Sequence, residues 1–398
     1  MTQAKYDIAI VGGGINGVGV AQAAAAAGYS VLLLEKQSLA AGTSSKSSKL
    51  IHGGLRYLES YEFNLVRESL KERALLLKLA PELVQIQEFC LPVYRYTRRK
   101  PIVLQAGLNL YYLLSGFNAQ ARFGSVPKRQ WDQLDGLRTD DLLKVFKYRD
   151  ARTDDTLLTQ AVMRSAQSLG AELACPAEFS GAELWTGGCQ VDYRMGDRRE
   201  TCTARVLINA AGPWVNHVLP LISPAPRPLP VELVRGSHVE LPADTASLSG
   251  KYFYYLESRR DGRAVFVMPK SDSVLIGTTE TQFRKHPDQV RPLPNEETYL
   301  LNIFCHYFPA AGHLSHEDLT ASWAGLRVLP AGEGHAFHRS REEILEPDRK
   351  IKPRLLTIYG GKLTTYRKIA EKVMRRIQPS LPDRQPVAKT SELPLSPG

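Results

Sequence analysis

Cysteine is scarce in this chain, and none of it is arranged for metal binding or redox chemistry. Five cysteines occur among 398 residues, and no two of them form a C-x-x-C pair. This scarcity argues against a disulfide framework and against a structural zinc site, and it favours a reducing compartment. No cluster of His, Cys and Asp has metal-ligand spacing either, so no bound metal is predicted.

Long hydrophobic runs are also missing. No stretch reaches the roughly 18 apolar residues of a membrane-spanning helix, and MTQAK leads directly into a strand pattern, which leaves no room for a signal peptide. We therefore expect a cytoplasmic protein. One shorter apolar segment, 102–117, comes soon after Arg95, Arg98, Arg99 and Lys100. It suits either a buried helix with a solvated basic approach or a helix lying on the inner face of the cytoplasmic membrane; composition alone favours the first.

The net charge is strongly positive, but it is not gathered into one stripe. The chain has 51 Lys and Arg against 41 Asp and Glu, a formal net charge of +10. Because the basic residues are dispersed and not interleaved with aromatic ones, no nucleic-acid partner is expected. The charge instead suits an anionic ligand or an anionic surface. The length predicts about two domain-sized units.

The chain opens with the pattern of a βαβ unit. Residues 6–11 form an apolar run typical of a buried parallel strand, 12–28 are rich in small residues, and 30–35 form a second strand. Further elements are predicted as helices over 62–80, 155–169 and 363–376, strands over 206–212 and 355–361, and a hairpin over 264–268 and 273–277.

A glycine motif joins the first strand to the first helix. Gly12, Gly14 and Gly17 have the spacing G-x-G-x-x-G, and Glu35 closes the second strand. The first glycine permits a tight turn, the second lets the backbone approach a pyrophosphate, and the third lets the helix pack on the strand. The phosphates would lie at the positive end of the helix, with the acid on the ribose hydroxyls. The motif predicts a dinucleotide site, and an acid at position 35 argues against NADP.

The residues after the second strand distinguish FAD from NAD. The segment TSSKSSKLIHGGLRYLE at 43–59 is rich in hydroxyls and glycines. An NAD dehydrogenase seldom needs such a segment there, whereas a flavin places its ribityl chain, pyrophosphate and ring edge deep in the protein. We therefore predict FAD.

At these residues the sequence resembles the FAD-dependent glycerol-3-phosphate dehydrogenases and glycerol-phosphate oxidases, which belong to the D-amino-acid-oxidase-like flavoproteins. The matching stretches include DIAIVGGGINGVGVA, TSSKSSKLIHGGLRYLESYEF, LINAAGPWV, RGSHVELP, VFVMPKSDSVLIGTTE, WAGLRVLP and YGGKLTTYRKIAE, in the family's order. Two motifs depart from the family pattern: its GTTD ends in Glu280 here, and its GVRPL reads GLRVL at 325–329. The larger members also carry a further C-terminal helical domain, which we do not expect in this chain.

The resemblance implies an α/β (α+β) fold in which a Rossmann-like FAD-binding domain is interleaved with an antiparallel-sheet substrate domain. The expected division assigns 1–90, 150–215 and 320–378 to the FAD-binding domain and 91–149 and 216–319 to the substrate, or cap, domain. The Pro- and Ser-rich tail, 379–398, is predicted to be disordered.

The resemblance also implies roles for individual residues. Arg56 and Arg327 would clamp a substrate phosphate, because a planar guanidinium matches phosphate oxygens. His238 would accept the proton of the substrate hydroxyl. Arg339, Tyr57 and Thr365 are further substrate-binding candidates, and Lys362 is expected beside the flavin or the substrate. The cofactor residues carried over are Gly12, Gly14, Gly17, Glu35, Thr43, Ser44, Ser45, Ser47, Lys49, Leu50, His52, Ala177, Ala211, Gly212, Gly361, Lys362 and Leu363, with Trp214 as a packing residue.

The activity implied is oxidation of sn-glycerol 3-phosphate to dihydroxyacetone phosphate by hydride transfer to the flavin, with electrons passed on to a quinone. With the resemblance added, peripheral contact with an anionic membrane becomes the favoured interpretation of 102–117. The altered motifs leave open a 2-hydroxy acid or an amine as substrate, and the oxidase branch of the family leaves open oxygen as acceptor. The expected lack of the C-terminal domain leaves open a flavin-binding protein without turnover. The oligomeric state is open too, with a homo-oligomer as one option.

Overall fold

The computed structural model describes residues 5–244, 248–331 and 343–398. Within these ranges the chain forms two large sheets, one mainly parallel and one mainly antiparallel. The expected mixed α/β fold class is confirmed.

The first sheet holds the glycine motif. Its core is parallel: β2, β1, β10 and β19 lie side by side, and β7 continues the sheet beyond β2. An antiparallel meander of β8, β9 and β10 and the short strands β11 and β18 complete it. The strands are β1 Tyr6–Val11, β2 Val31–Leu34, β7 Glu172–Ala174, β8 Glu178–Trp185, β9 Gly188–Met195, β10 Arg198–Asn209, β11 Ile222–Ser223, β18 Ile344–Pro347 and β19 Leu355–Tyr359.

Small residues let one helix pack very closely on this sheet. Helix α1 (Ile15–Ala26) lies between α4 (Asp155–Ser168) and α7 (Tyr366–Ile377). A Cβ added to Gly19 would lie 2.7 Å from the ring of Tyr366 on α7, so only a glycine fits at that contact. The remaining helices are α2 Phe63–Leu79, α3 Pro101–Leu114, α5 Val215–Val218 and α6 Pro294–Tyr307.

The second sheet has a helix on each face. Helix α6 packs on one face through Phe304 and its neighbours, and α3 packs on the other through Leu108. The strand order is β16-β12-β15-β14-β13-β4-β6-β3, with β17 paired to β12 and β5 to β6. Its strands are β3 Leu50–Ile51, β4 Val84–Tyr94, β5 Phe123–Ser125, β6 Leu142–Thr153, β12 Val231–Pro242, β13 Phe253–Glu257, β14 Ala264–Pro269, β15 Ser273–Gly277, β16 Thr281–Phe283 and β17 Ala321–Pro330.

The chain alternates between the two sheets. Strands β3 and β17 belong to the second sheet, although both fall within segments expected in the FAD-binding domain. The proposed domain division stays a prediction.

The structure differs from the expectation of a disordered tail after residue 378. Leu395 is buried and its amide donates to the carbonyl of Leu79 at 2.7 Å, while Val387 donates to the carbonyl of Ala26. Composition suggested disorder because the segment is rich in Pro and Ser, but the free carbonyl groups at the C-terminal ends of α1 and α2 offer backbone partners that a local pattern does not reveal.

Candidate active site

The glycine motif forms a tight turn at the carboxyl end of β1. Gly12 has a φ of +109°, and a Cβ there would lie 2.6 Å from the carbonyl oxygen of Ala210. A Cβ on Gly17 would lie 1.9 Å from the carbonyl oxygen of Gly12. These contacts bring the first turn of α1 onto the strand and leave its amide groups at the mouth of a cavity, a favourable place for phosphate oxygens.

Glu35 stands beside this turn, directly after β2. Its carboxylate accepts hydrogen bonds from the amides of Gly13 and Gln37, both at 2.8 Å. Its own carbonyl accepts from the amide of Ala177 at 2.7 Å. The side chain is therefore held at the edge of the cavity, where it can accept hydrogen bonds from ribose hydroxyls.

A cavity of about 540 Å³ runs from this acid into the space between the two sheets. That volume is in the range of sites for drug-sized ligands and cofactors. Of the residues predicted to bind cofactor, the cavity brings together Gly12, Gly14, Glu35, Thr43, Ser44, Ser47, Leu50, His52, Ala177, Ala211, Gly212, Gly361, Lys362 and Leu363. Gly17 instead packs α1 on β1, and Ser45 and Lys49 lie behind the cavity wall.

An aspartate that the sequence did not single out holds the serine-rich loop in place. Asp155, fully buried at the start of α4, accepts hydrogen bonds from the amide of Ser47 at 3.1 Å and from its hydroxyl at 2.7 Å. It also pairs with the ammonium of Lys49. Lys49 thus supports the loop from behind, and Asp155 fixes the loop that forms one cavity wall.

A second unpredicted aspartate holds the turn that carries Arg56. Asp150 accepts from the amide of Gly53 at 3.2 Å and from the hydroxyl of Tyr111 at 2.9 Å, and it pairs with the buried Arg73. Because Tyr111 lies on α3, this network connects that helix to the HGG segment.

His238 lies at the inner end of the cavity, on strand β12 of the second sheet. The side chain is buried, its ring stacks on Trp323 with centroids 5.7 Å apart, and Nε2 is 3.0 Å from the hydroxyl of Ser48. Burial lowers the pKa of His238 to about 3, with smaller contributions from the nearby cations Arg327, Lys49 and Lys270. The imidazole is therefore neutral near pH 7 and carries a lone pair that can accept a proton.

Position 277 must be glycine for His238 to occupy this place. Gly277 on β15 lies directly opposite His238 in the antiparallel pairing with β12. A Cβ at Gly277 would lie 2.0 Å from Cδ2 of the imidazole. The site therefore depends on the register of the second sheet.

The two arginines expected to clamp a phosphate meet over a buried carboxylate. Arg327 on β17 and Arg56 approach the same oxygen of Glu280, at 3.4 Å and 3.6 Å respectively. Arg327 also lies 3.4 Å from the hydroxyl of Thr278. Arg327 lines the cavity, whereas Arg56 lies outside the lining and next to it. The altered GTTE motif thus places its acid between the arginines.

The other substrate candidates have different positions. The Lys362 ammonium lies 3.7 Å from the centroid of the Tyr57 ring, a cation–π contact at the cavity wall. Thr365 is buried at the start of α7 and does not line the cavity, so its role in substrate binding stays a prediction. Thr364, in the same three-residue turn before α7, lines the cavity and accepts from the amide of His52. Arg339 lies outside the described residues.

The chain matches the family model described as "FAD dependent oxidoreductase" over residues 7–362. The chain belongs to this family. Its curated relatives include a glycerol-3-phosphate dehydrogenase of Pseudomonas aeruginosa, 37% identical over 99% of this chain and 75% of that protein. A D-erythritol 1-phosphate dehydrogenase of Brucella abortus is 36% identical over 94% of this chain and 74% of that protein.

Solved structures of flavoproteins share the fold. The glycerol-3-phosphate dehydrogenase of Bacillus halodurans, complexed with FAD, superposes with a TM-score of 0.76 at 26% identity, covering 99% of this chain and 68% of that one. The L-alpha-glycerophosphate oxidase of Mycoplasma pneumoniae with FAD bound gives the same TM-score at 18% identity, over 98% of each chain. The predictions of an FAD-dependent oxidoreductase and of FAD as its cofactor are confirmed.

The cavity of this FAD-dependent oxidoreductase fits the cofactor in its geometry as well. The glycine turn leaves room for phosphate groups that any Cβ would fill. The carboxylate of Glu35, which would bind ribose hydroxyls, lies at the end of the neighbouring strand, and the cavity continues inward to His238. The Nδ1 of His238 is buried and has no hydrogen-bond partner within the described residues, as expected for a polar group that faces a bound molecule. Within the same ranges, no group of three or more His, Cys, Asp or Glu could hold a metal ion.

Proposed function

We propose that this FAD-dependent oxidoreductase oxidises sn-glycerol 3-phosphate to dihydroxyacetone phosphate. The proposal rests on one observation above all: a neutral, buried imidazole and a guanidinium lie together at the inner end of the cofactor cavity. A base and an anion-binding group in one pocket suit a substrate that has both a hydroxyl and a phosphate. The relatives named glycerol-3-phosphate dehydrogenase support the same substrate.

Each residue has a task in this reaction. Arg327, with Arg56 beside it, binds the phosphate and orients the substrate. Nδ1 of His238, which has no hydrogen-bond partner within the described residues, accepts the proton of the secondary hydroxyl, and its burial keeps water from competing. Bound FAD supplies the acceptor for the hydride. A phosphate on Arg327 offsets that cation and so raises the pKa of His238 when substrate is present, which makes the imidazole a stronger base.

An anaerobic titration tests this proposal directly. Glycerol 3-phosphate should bleach the visible absorbance of the oxidised flavin in the purified protein, and glycerol, which lacks the phosphate, should bleach it far less. His238→Asn should slow the bleaching, while Arg327→Ala should raise the concentration of substrate required. If a 2-hydroxy acid or an amine reduces the flavin and the phosphorylated alcohol does not, the substrate assignment is wrong.

A second substrate, a four-carbon polyol phosphate, is favoured by one specific observation. The Brucella relative is named for D-erythritol 1-phosphate and, at 36% identity, is as similar to this chain as the glycerol-3-phosphate enzymes, for example those at 37% and 36%. Both substrates present a phosphate and a neighbouring hydroxyl, so the same residues would bind either one. Comparing kcat/KM for the two substrates decides between them, because this ratio measures discrimination.

We also propose that α3 rests on an anionic membrane surface and that electrons pass to a quinone there. Ile102, Val103 and Leu113 on this helix, and Phe117 in the turn that follows it, have exposed fractions between 52% and 78%. A group of exposed apolar side chains beside basic residues is typical of an interfacial helix. Among the described residues, no helix is long and apolar enough to cross a membrane.

The basic segment before α3 contributes less charge than its composition suggests. Arg95 is exposed but pairs with Asp141 at 3.5 Å, and Arg99 is mostly buried and pairs with Glu59 and Glu257. The electrostatic part of the interaction therefore depends mainly on Arg98 and Lys100, and the apolar side chains contribute the rest.

Vesicle sedimentation tests the membrane proposal. Ile102→Asp should reduce sedimentation with vesicles that contain anionic lipid, because it places a charge where an apolar side chain enters the interface. Ile351→Asp is a matched control, since Ile351 is as exposed as Ile102 but lies in the loop before β19. Equal sedimentation of both variants and the wild type would contradict the proposal. A quinone analogue that reoxidises the reduced protein faster than oxygen does would support the acceptor.

A further inference from the structure

We propose that Glu280 is a positioning residue that sets the affinity of the site for anions. Its carboxylate acts as an internal counter-ion of Arg56 and Arg327 and competes with the phosphate of the substrate for them. This inference rests on the proposed function, because it concerns the same two arginines.

The carboxylate is placed where it affects both guanidinium groups. Its Oε1 is 3.4 Å from Nη1 of Arg327 and 3.6 Å from Nη1 of Arg56, and only 4% of the side chain is exposed. Charges at such distances interact much more strongly in a buried site than in water. An anion that binds on the cavity side of Arg327 therefore meets a pair of cations whose charge is already partly neutralised.

The backbone holds the carboxylate in this position. The carbonyl of Glu280 accepts a hydrogen bond from Arg263 at 2.7 Å. The preceding Thr279 is tied to β12, where its amide donates to Ser237 and its hydroxyl accepts from the amide of the same residue. Glu280 therefore has little freedom to withdraw when a ligand enters.

The arginines keep other contacts when this charge is removed. Arg327 lies 3.4 Å from the hydroxyl of Thr278, and the guanidinium of Arg56 lies over the ring of Tyr57. Glutamine at position 280 would retain the size of the side chain and an oxygen acceptor. Its main effect would be the loss of one negative charge, so the site should bind anions more tightly and not less.

The length of this side chain also affects anion binding. A glutamate reaches about 1.5 Å further than the aspartate of the GTTD pattern, the length of one C–C bond. The longer side chain brings the negative charge closer to the arginines. We therefore expect Glu280→Asp to bind anions more tightly than the wild type and less tightly than Glu280→Gln.

The experiment measures binding of inorganic phosphate to the holoenzyme by calorimetry. Phosphate carries the anionic group of the substrate but cannot be oxidised. Glu280→Gln should lower its Kd about tenfold, equivalent to about 1.4 kcal/mol, and Glu280→Asp should lower it about threefold. Glu257→Gln is the matched control: it neutralises a buried glutamate that pairs with Arg99 outside the cavity lining, and it should leave the Kd unchanged.

The kinetics should change in a corresponding way. The KM for glycerol 3-phosphate should fall in Glu280→Gln, while kcat stays the same or falls because the phosphorylated product leaves more slowly. A purely structural role would predict weaker binding, since the arginines would lose their support. Unchanged or weaker phosphate binding in Glu280→Gln overturns the proposal. If that variant does not fold, absence of tightening in Glu280→Asp overturns it.

Failure of the proposed function gives a different result. In that case glycerol 3-phosphate would not bleach the flavin of the wild type. The phosphate titrations would still show whether Glu280 controls anion affinity, because they require no turnover.

Discussion

Replacing His238 with asparagine should change how the stability of the protein depends on pH. The buried imidazole has a pKa lowered to about 3, against an ordinary value near 6.5 for an exposed histidine. Between these values the unfolded chain takes up a proton at this position and the folded protein does not. The free energy of unfolding therefore falls as the pH falls, and this loss begins near pH 6.5 and ends near pH 3.

The size of the effect follows from the linkage relation. One extra proton bound by the unfolded chain lowers the free energy of unfolding by about 1.4 kcal/mol per pH unit. Because the change begins gradually around pH 6.5, the loss from pH 6.5 to 4.5 is about 2 kcal/mol. His238→Asn removes this contribution. It also leaves a packing defect against Trp323, whose cost does not depend on pH.

Urea unfolding at pH 6.5, 5.5 and 4.5, with FAD in excess, measures both the pH-dependent contribution of the imidazole and the pH-independent packing defect. The variant should be less stable than the wild type at pH 6.5, and the difference should shrink by about 2 kcal/mol at pH 4.5. His313→Asn removes an exposed imidazole and is the matched control. A difference between His238→Asn and the wild type that stays constant over this range would refute the buried, neutral histidine.

Two further substitutions test the cofactor end of the site. Gly17→Ala places a Cβ 1.9 Å from the carbonyl oxygen of Gly12, so α1 must move away from β1. The variant should therefore lose FAD on gel filtration. Gly107→Ala is the control and should retain FAD, because its Cβ meets nothing within 4 Å. Asp155→Asn leaves Lys49 without its buried carboxylate and should lower the free energy of unfolding of the apoprotein by about 3 kcal/mol, measured in urea. Unchanged stability of Asp155→Asn would show that this pair contributes little to the loop.

Local sequence patterns were sufficient to predict the helices and strands in which apolar residues recur with a clear helical or strand period. The helices predicted over 62–80 and 155–169 are α2 and α4, and the hairpin predicted over 264–277 is formed by β14 and β15. The strand predicted from residue 206 is longer, since β10 begins at Arg198. Its first half is polar and partly exposed, and it forms a strand because it pairs with β9. That pairing is a tertiary contact, which a short sequence window does not contain.

The site residues also divide into those with a local sequence signal and those placed only by tertiary contacts. The glycine turn and Glu35 have a local signature, and His238 and Arg327 came from the family resemblance. Asp150 and Asp155 were not predicted, because an isolated aspartate has no sequence pattern that marks it as part of a site. Their importance appears only when the fold brings Gly53 and Ser47 within hydrogen-bond distance.

The charges around the inner end of the cavity explain why an anion should bind there. Lys49 has Asp155 as its partner, but Arg56 and Arg327 share Glu280, and Lys362 adds a cation beside an aromatic ring. A phosphate bound at Arg327 would offset that cation and so remove part of the positive field that, together with burial, keeps the pKa of His238 low. The phosphate of the substrate would therefore raise the pKa of His238 and make it a stronger base. An alcohol without a phosphate should react slowly even at concentrations high enough to fill the site.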